Sequence, residues 1–175
     1  VGTETGNPNA EYRFDPLRSH TDEALRLFMR RLRPVVEAAE RLHTVIAIEP
    51  AYTHIVHDAQ SARAVLDAFP SPALRIILDP VNLLHPSNLA RREAVITSAL
   101  ELLGPRVAAI HLKDYVPEGD ALRAVASGLG EMDDRPVLAY AARHLPDVPI
   151  LLENTAPHNA AAARAHVERL LDTVP

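Results

Sequence analysis

The chain alternates short apolar runs with helical patterns along its whole length, and this alternation restricts the folds it can adopt more than any other feature. Apolar and β-branched runs predict five strands, at residues 1–5, 44–48, 74–78, 107–110 and 148–152. Helical spacing of apolar residues predicts five helices, at residues 21–42, 58–69, 90–103, 136–144 and 159–171. This βα alternation predicts an α/β fold with a parallel sheet and right-handed crossovers.

Two segments between these elements carry no strong periodic signal. Residues 7–19 are polar and contain prolines, and residues 112–135 contain glycines, so both are predicted as loops. Pro34 falls inside the first helical pattern. Because proline lacks the backbone N–H, we expect it to kink this helix or to divide it in two.

Composition excludes several classes of function. The 175 residues suffice for a single domain, residues 1–175. The absence of cysteine excludes disulfides, thiolate zinc sites and a cysteine nucleophile. A net charge of −5 and 4% aromatic residues argue against binding to nucleic acid. No run approaches the roughly 18 apolar residues of a membrane span, so we expect no membrane association and a cytoplasmic location.

A residue of metal-ligand type directly follows four of the predicted strands. These residues are Glu49, Asp79, His111 and Glu153. Because parallel strands end at one edge of a sheet, we expect the four side chains to converge, and in a closed barrel they would meet at its C-terminal mouth. Three carboxylates would repel one another there unless a cation lay between them. Oxygen and imidazole ligands favour Mn²⁺, Mg²⁺ or Co²⁺, with Zn²⁺ as an alternative.

Each of these residues also has a structural interpretation when it is taken alone. A carboxylate after a strand is most often a helix cap or a solvated loop residue. Proline follows both Glu49 and Asp79, so a role in a turn is reasonable for each. Four successive strands ending in ligand-type residues nevertheless favour the metal site.

Ordered motifs along the chain resemble the sugar phosphate isomerase/epimerase family, which belongs to the xylose isomerase-like TIM barrels. These motifs are Ile48-Glu49-Pro50, residues 78–84 (LDPVNLL), residues 111–114 (HLKD), residues 128–133 (GLGEMD) and Leu152-Glu153-Asn154. The resemblance covers essentially the whole chain and implies a (β/α)8 TIM barrel of which about five βα units, corresponding to strands 4–8, are present.

The resemblance also implies a mechanism. Glu49, Asp79, His111 and Glu153 would bind one divalent ion, and Glu49 and Glu153 would serve as the catalytic acid/base pair. Proton removal next to a carbonyl would give a metal-stabilised enediolate. Reprotonation on the other face gives epimerisation, reprotonation at the neighbouring carbon gives isomerisation, and loss of a β-hydroxyl gives dehydration. The substrate implied is a small sugar, a sugar phosphate or a polyol derivative.

One position departs from the family pattern. Ketose 3-epimerases and endonuclease IV carry histidine three residues after the strand-6 aspartate, whereas this chain has Asn82. The loop at residues 130–134 also lacks the histidine that endonuclease IV needs for its third zinc ion. We therefore set the DNA-repair function aside, and we expect Asn82 to hydrogen-bond a substrate hydroxyl.

Further residues are candidates for the substrate pocket. Lys113 should point to the same side as His111, where it would contact a substrate oxygen or phosphate or pair with Glu49 or Glu153. His54 lies in the loop after Glu49 and is a second candidate, although loop histidines usually do not line pockets. Asp114 would orient a ligand or cap the next element, and Asn154 is placed to brace Glu153.

The chain begins with Val1 in an apparent strand, so we expect it to be a C-terminal fragment of a barrel that lacks strands 1–3. Two sheet edges would then be exposed, and the isolated chain is expected to be unstable or poorly active. A homo-oligomer that closes the sheet is an alternative. The rival functions are a lyase of the inosose dehydratase type and a non-catalytic, metal-free binding domain.

Overall fold

A computed structural model describes residues 1–11 and 13–174 of the chain. Its strands are β1 (Gly2–Glu4), β2 (Ile46–Glu49), β3 (Leu74–Leu78), β4 (Val107–Leu112), β5 (Asp114–Glu118), β6 (Ala121–Val125) and β7 (Ile150–Leu152). Its α-helices are α1 (Pro16–Ser19), α2 (Asp22–Arg41), α3 (Ala59–Ala68), α4 (Arg92–Leu103), α5 (Arg135–His144) and α6 (Ala160–Leu171). Short 3-10 turns cover Val81–Leu83, Leu89–Arg91 and Gly104–Arg106.

Five strands form one sheet in the order β1-β2-β3-β4-β7, and every neighbouring pair in it is parallel. A helix follows each strand of this sheet, which confirms the predicted α/β class and parallel sheet. Since parallel neighbours run in the same direction, the carboxyl ends of all five strands lie along one edge. That edge is where the ligand-type side chains emerge.

The core lies between this sheet and the helices that cover it. Its main apolar cluster joins strand residues such as Ile48, Leu74, Ile76 and Ile110, none of which is exposed, to buried residues of α2 through α6. Strands buried in this way read as continuous apolar runs in the sequence. Local signals fix the helix starts, as when the Asp58 side chain accepts the Ser61 N–H and forms a capping box at α3.

Both predicted loops contain regular structure, and helix α1 (Pro16–Ser19) lies within the first of them, residues 7–19. Residues 112–135, predicted as a loop, contain the antiparallel hairpin of β5 and β6, which turns through Gly119 at φ 60°. Of the two effects expected of Pro34, division of the helix does not occur, because α2 runs from Asp22 to Arg41 without a break. Leu32 and Val36 are buried on either side of the proline. Tertiary packing therefore keeps the helix continuous, although Pro34 cannot donate one of its backbone hydrogen bonds. Within the described residues, no helix has the combined length and apolarity needed to cross a membrane.

The buried carboxylate of Asp114 organises the loop that follows the hairpin. Its Oδ1 accepts the backbone N–H groups of Tyr115 and Met132 at 2.8 and 2.7 Å, and its Oδ2 accepts those of Gly128 and Gly130 at 3.1 and 2.8 Å. Of the two expected roles of Asp114, the structural one is thus the role that these contacts support.

We expect Asp114→Ala to destabilise the protein by roughly 2–4 kcal/mol, because it leaves buried backbone donors without acceptors. Urea unfolding measures the change. Asp120→Asn, at the exposed hairpin turn, is the matched control and should change stability by less than about 0.5 kcal/mol. Equal stabilities for the two variants would contradict the role given to Asp114.

Asp134 is a second buried acid near this loop. Asp134 is 1% exposed, and its Oδ1 has no hydrogen-bond partner among the described residues. Burial, reinforced by the negative charges of Asp114 and Asp79, raises the pKa of Asp134 to about 7. The carboxyl is therefore protonated in the folded protein at mildly acidic pH.

This raised pKa predicts a pH dependence of stability. The unfolded carboxyl ionises near pH 4, so between about pH 4 and pH 7 only the folded state holds this proton. The free energy of unfolding should fall across that window as the pH rises and then level off. Asp134→Asn should remove this fall, which amounts to at most about 4 kcal/mol. Urea unfolding at pH 5 and pH 8 tests it, with Asp147→Asn as the exposed control.

Candidate metal centre

The four ligand-type residues reach the same edge of the sheet from four different strands. Glu49 is the last residue of β2, Asp79 and Glu153 follow directly after β3 and β7, and His111 is the next-to-last residue of β4. The sequence placed His111 just beyond its strand, whereas β4 continues through Leu112. The parallel register pairs His111 with Leu151, two residues before Glu153, so these ligand-type side chains are staggered along the strands and still emerge at the same edge.

The four side chains converge. Each offers one ligand atom, and these atoms all lie within 4.8 Å of one another. His111 Nδ1 lies 3.2 Å from Glu49 Oε1 and 2.9 Å from Glu153 Oε1, so the imidazole stands between the two glutamates. The sequence prediction that these four residues meet at one mouth therefore agrees with the geometry.

Hydrogen bonds hold two of the carboxylates in place. Asp79 Oδ1 accepts the backbone N–H groups of Val81 and Asn82 at 2.9 and 3.1 Å. The Asn82 side-chain amide donates to Glu49 Oε1 at 2.9 Å. Asn82 therefore joins the β3 end of the site to the β2 end, a contact that its sequence position did not reveal.

Lys113 supplies the positive charge at the other side of the cluster. Its Nζ lies 2.8 Å from Asp79 Oδ2 and 2.8 Å from Glu153 Oε2. The pairing with Glu153 is one of the alternatives expected from the sequence, and the pairing with Asp79 is not. Lys113 follows His111 by two residues on an extended chain, which places both on one side.

The surroundings shift the ionisation of these groups in different directions. Burial, reinforced by the charges of Asp79 and Glu153, raises the pKa of Glu49 despite its contact with His111. Burial also raises the pKa of Asp79, although the charge of Lys113 opposes it. Burial likewise acts to raise the pKa of Glu153, but the hydrogen bond and charge of Lys113 lower it overall. Glu49 and Asp79 are thus the two carboxyls of the site whose negative charge the surroundings disfavour.

The donor set fits a divalent cation. Three carboxylates and one imidazole, with no thiolate, suit Mn²⁺, Mg²⁺, Co²⁺ or Zn²⁺. Asp79 Oδ2 faces the ammonium of Lys113 yet makes no hydrogen bond of standard geometry with it, which leaves that buried oxygen able to accept an ion. A cation at this point would also reduce the carboxylate repulsion that adds to burial in raising the pKa of Glu49.

The loop after β2 carries two histidines, His54 and His57, and Asn154 directly follows Glu153. His54 Nε2 is 3.7 Å from Glu4 Oε2, so it faces the end of β1 rather than the four ligands. His57 stacks on His20 with 3.7 Å between ring centroids and lines a separate cavity of about 490 Å³. Among the described residues, Asn154 makes no hydrogen bond to Glu153, so the expected bracing contact is not formed.

A family model described as xylose isomerase-like TIM barrel matches residues 8–171. No curated protein matches the chain by sequence. A D-tagatose 3-epimerase-like protein superimposes with a TM-score of 0.77 at 18% identity, over 99% of this chain and 62% of that chain.

Two further solved structures share the fold. The probable 3-DHS dehydratase AsbF from Bacillus anthracis gives a TM-score of 0.66 at 14% identity, over 86% of this chain and 57% of that one. The IOLI protein with a bound zinc atom gives 0.66 at 16% identity, over 84% and 56%. The predicted barrel class is confirmed, and the chain spans between 56% and 62% of the length of these structures.

We expect Asp79→Asn to weaken Mn²⁺ binding at least about tenfold, because even residues that only support ligands contribute 10- to 100-fold to metal affinity. Isothermal titration measures the dissociation constant. Glu118→Gln, on the exposed hairpin, is the control and should bind Mn²⁺ as the natural chain does. Unchanged binding in Asp79→Asn would place the ion elsewhere.

Proposed function

Because the chain belongs to the xylose isomerase-like TIM barrel family, we propose that its protein is a divalent-metal-dependent isomerase or epimerase of sugars or sugar phosphates. The observation that carries this proposal is the convergence of three carboxylates and one imidazole within 4.8 Å. The proposed activity is that of the whole protein, since the chain spans 62% of the epimerase-like relative.

In this proposal Glu49, Asp79, His111 and Glu153 hold the ion, and Glu49 and Glu153 also transfer protons. The two glutamates approach His111 Nδ1 from different strands, so they can flank a bound substrate. When bound, a divalent ion would polarise the substrate carbonyl and stabilise the enediolate. One glutamate removes the proton next to the carbonyl, and the return of a proton decides the product.

Three further residues are proposed to bind substrate. The Asn82 amide has two N–H groups, and its hydrogen bond to Glu49 uses one of them, so the other can donate to a substrate hydroxyl. Lys113 has three N–H groups, and two carboxylates face it, which leaves one donor for a substrate oxygen. His54 would contribute from the loop after β2, beside Glu4.

The proposal also covers the identity of the ion, the substrate, the cellular location and the oligomeric state. Mn²⁺, Mg²⁺ and Co²⁺ suit the oxygen-rich donor set, and the zinc atom of the IOLI structure supports Zn²⁺ as an alternative. The substrate is proposed to be a small sugar or polyol derivative used in carbohydrate metabolism in the cytoplasm. A homo-oligomer would cover the outer strands β1 and β7 of the sheet.

Proton exchange in D₂O tests the chemistry directly. The protein loaded with Mn²⁺ is incubated with a panel of ketoses, and deuterium entering the carbon next to the carbonyl is followed by NMR. We expect Glu153→Gln and Glu49→Gln to lower this exchange at least roughly 100-fold, as loss of a general acid or base does. Glu101→Gln, exposed on α4, should exchange at the normal rate.

The products separate the alternatives. An epimer or an aldose formed with solvent deuterium supports the proposal. A dehydrated product would instead identify a lyase, the rival function that shares the same first proton transfer. Exchange that persists in both glutamine variants would show that Glu49 and Glu153 are not the acid/base pair.

A further inference from the structure

Lys113 is the only lysine in a chain that uses arginine at its 17 other cationic positions. It is also buried, with 7% of its surface exposed, whereas lysine is almost never fully buried unless it is paired. Among residues 1–11 and 13–174, Lys113 is the one lysine or arginine that is buried. It lies two residues after His111, inside the candidate metal centre.

The ammonium contacts two of the groups that are proposed to hold the ion. Its Nζ lies 2.8 Å from Asp79 Oδ2 and 2.8 Å from Glu153 Oε2. Burial disfavours its charge, but the two carboxylates more than offset this, so the pKa of Lys113 lies above its usual value. Lys113 is thus a cation at neutral pH.

Resting on the metal-dependent function proposed above, we propose that Lys113 is a built-in counter-ion that preassembles Asp79 and Glu153 and competes electrostatically with the divalent ion. Three carboxylates and one ammonium leave the centre with two negative charges, which a divalent ion neutralises. Lys113 therefore reduces the repulsion between Asp79 and Glu153 when no ion is bound. Its charge also weakens the binding of the ion, because both cations act on the same carboxylates.

The chemistry of lysine suits this role better than that of arginine. An ammonium is a point charge with three donors that can turn toward Asp79, Glu153 or a substrate oxygen. A guanidinium is a rigid planar fork and would extend further into the space between the four ligands. The shorter cation can stay beside the ion rather than replace it, which makes Lys113 a positioning residue that sets metal affinity.

Metal affinity gives a test whose sign is specific to this role. Mn²⁺ dissociation constants of the full chain are measured by isothermal titration at pH 8. Lys113→Met and Lys113→Gln should each bind Mn²⁺ at least about tenfold more tightly, because one nearby positive charge has gone. Arg123→Met, which removes an exposed charge from β6, should leave the constant unchanged.

The outcomes separate this inference from the proposed function. No Mn²⁺ binding by the natural chain would overturn the metal-dependent function, and this inference with it. Normal binding by the natural chain, with equal or weaker binding by both Lys113 variants, would overturn the proposed competition between Lys113 and the ion. The metal-dependent function would not be affected by that result. Circular dichroism confirms that the variants are folded.

The natural chain provides a second test that needs no variant. Labelling with ¹⁵Nζ-lysine gives a single ammonium signal, because the chain has one lysine. Saturation with Mg²⁺ should shift this signal, because the ion would bind Asp79 and Glu153 and weaken their contacts with the ammonium. An ammonium signal that Mg²⁺ does not move, in a chain that binds Mg²⁺, would overturn the inference.

Discussion

Mutual repulsion among carboxylates brought to one edge of a parallel sheet is the constraint on which the rest of this site depends. Glu49, Asp79 and Glu153 come from three strands, and the ligand atoms of the centre lie within 4.8 Å of one another. Buried strands leave no room for these side chains to turn away into the core, since Ile48, Leu78 and Leu112 fill it. Positive charge must therefore be supplied from within the site or from outside it.

The protein supplies part of that charge itself. His111 stands between two glutamates, and Lys113 faces Asp79 and Glu153. Neutral donors add to this, because Asn82 donates its amide to Glu49 and backbone N–H groups reach Asp79. These contacts orient the carboxylates before any ion arrives, while leaving the negative charge only partly compensated. A rigid centre with residual negative charge is suited to a divalent cation.

The elements predicted best were those whose burial leaves a direct mark on the sequence. The β3 run Leu74–Leu78 matches its prediction to the residue, because a strand covered on both faces reads as a nearly continuous apolar stretch, interrupted here only by Arg75. The hairpin Asp114–Val125 left no such mark. Its strands carry Pro117 and two alanines, Ala121 and Ala124, rather than alternating β-branched residues, so they pair through tertiary context rather than through propensity.

By itself, the sequence determined the alternating α/β fold and the four residues that meet at the centre, because strand direction and strand ends are local properties that repeat in a parallel sheet. Only the tertiary structure decided which partners those residues take. That Lys113 pairs with Asp79 as well as Glu153, that Asn82 bonds Glu49, and that Asp114 binds the hairpin loop depend on distances between strands. Those distances follow from sheet register and packing, which no single segment of the chain encodes.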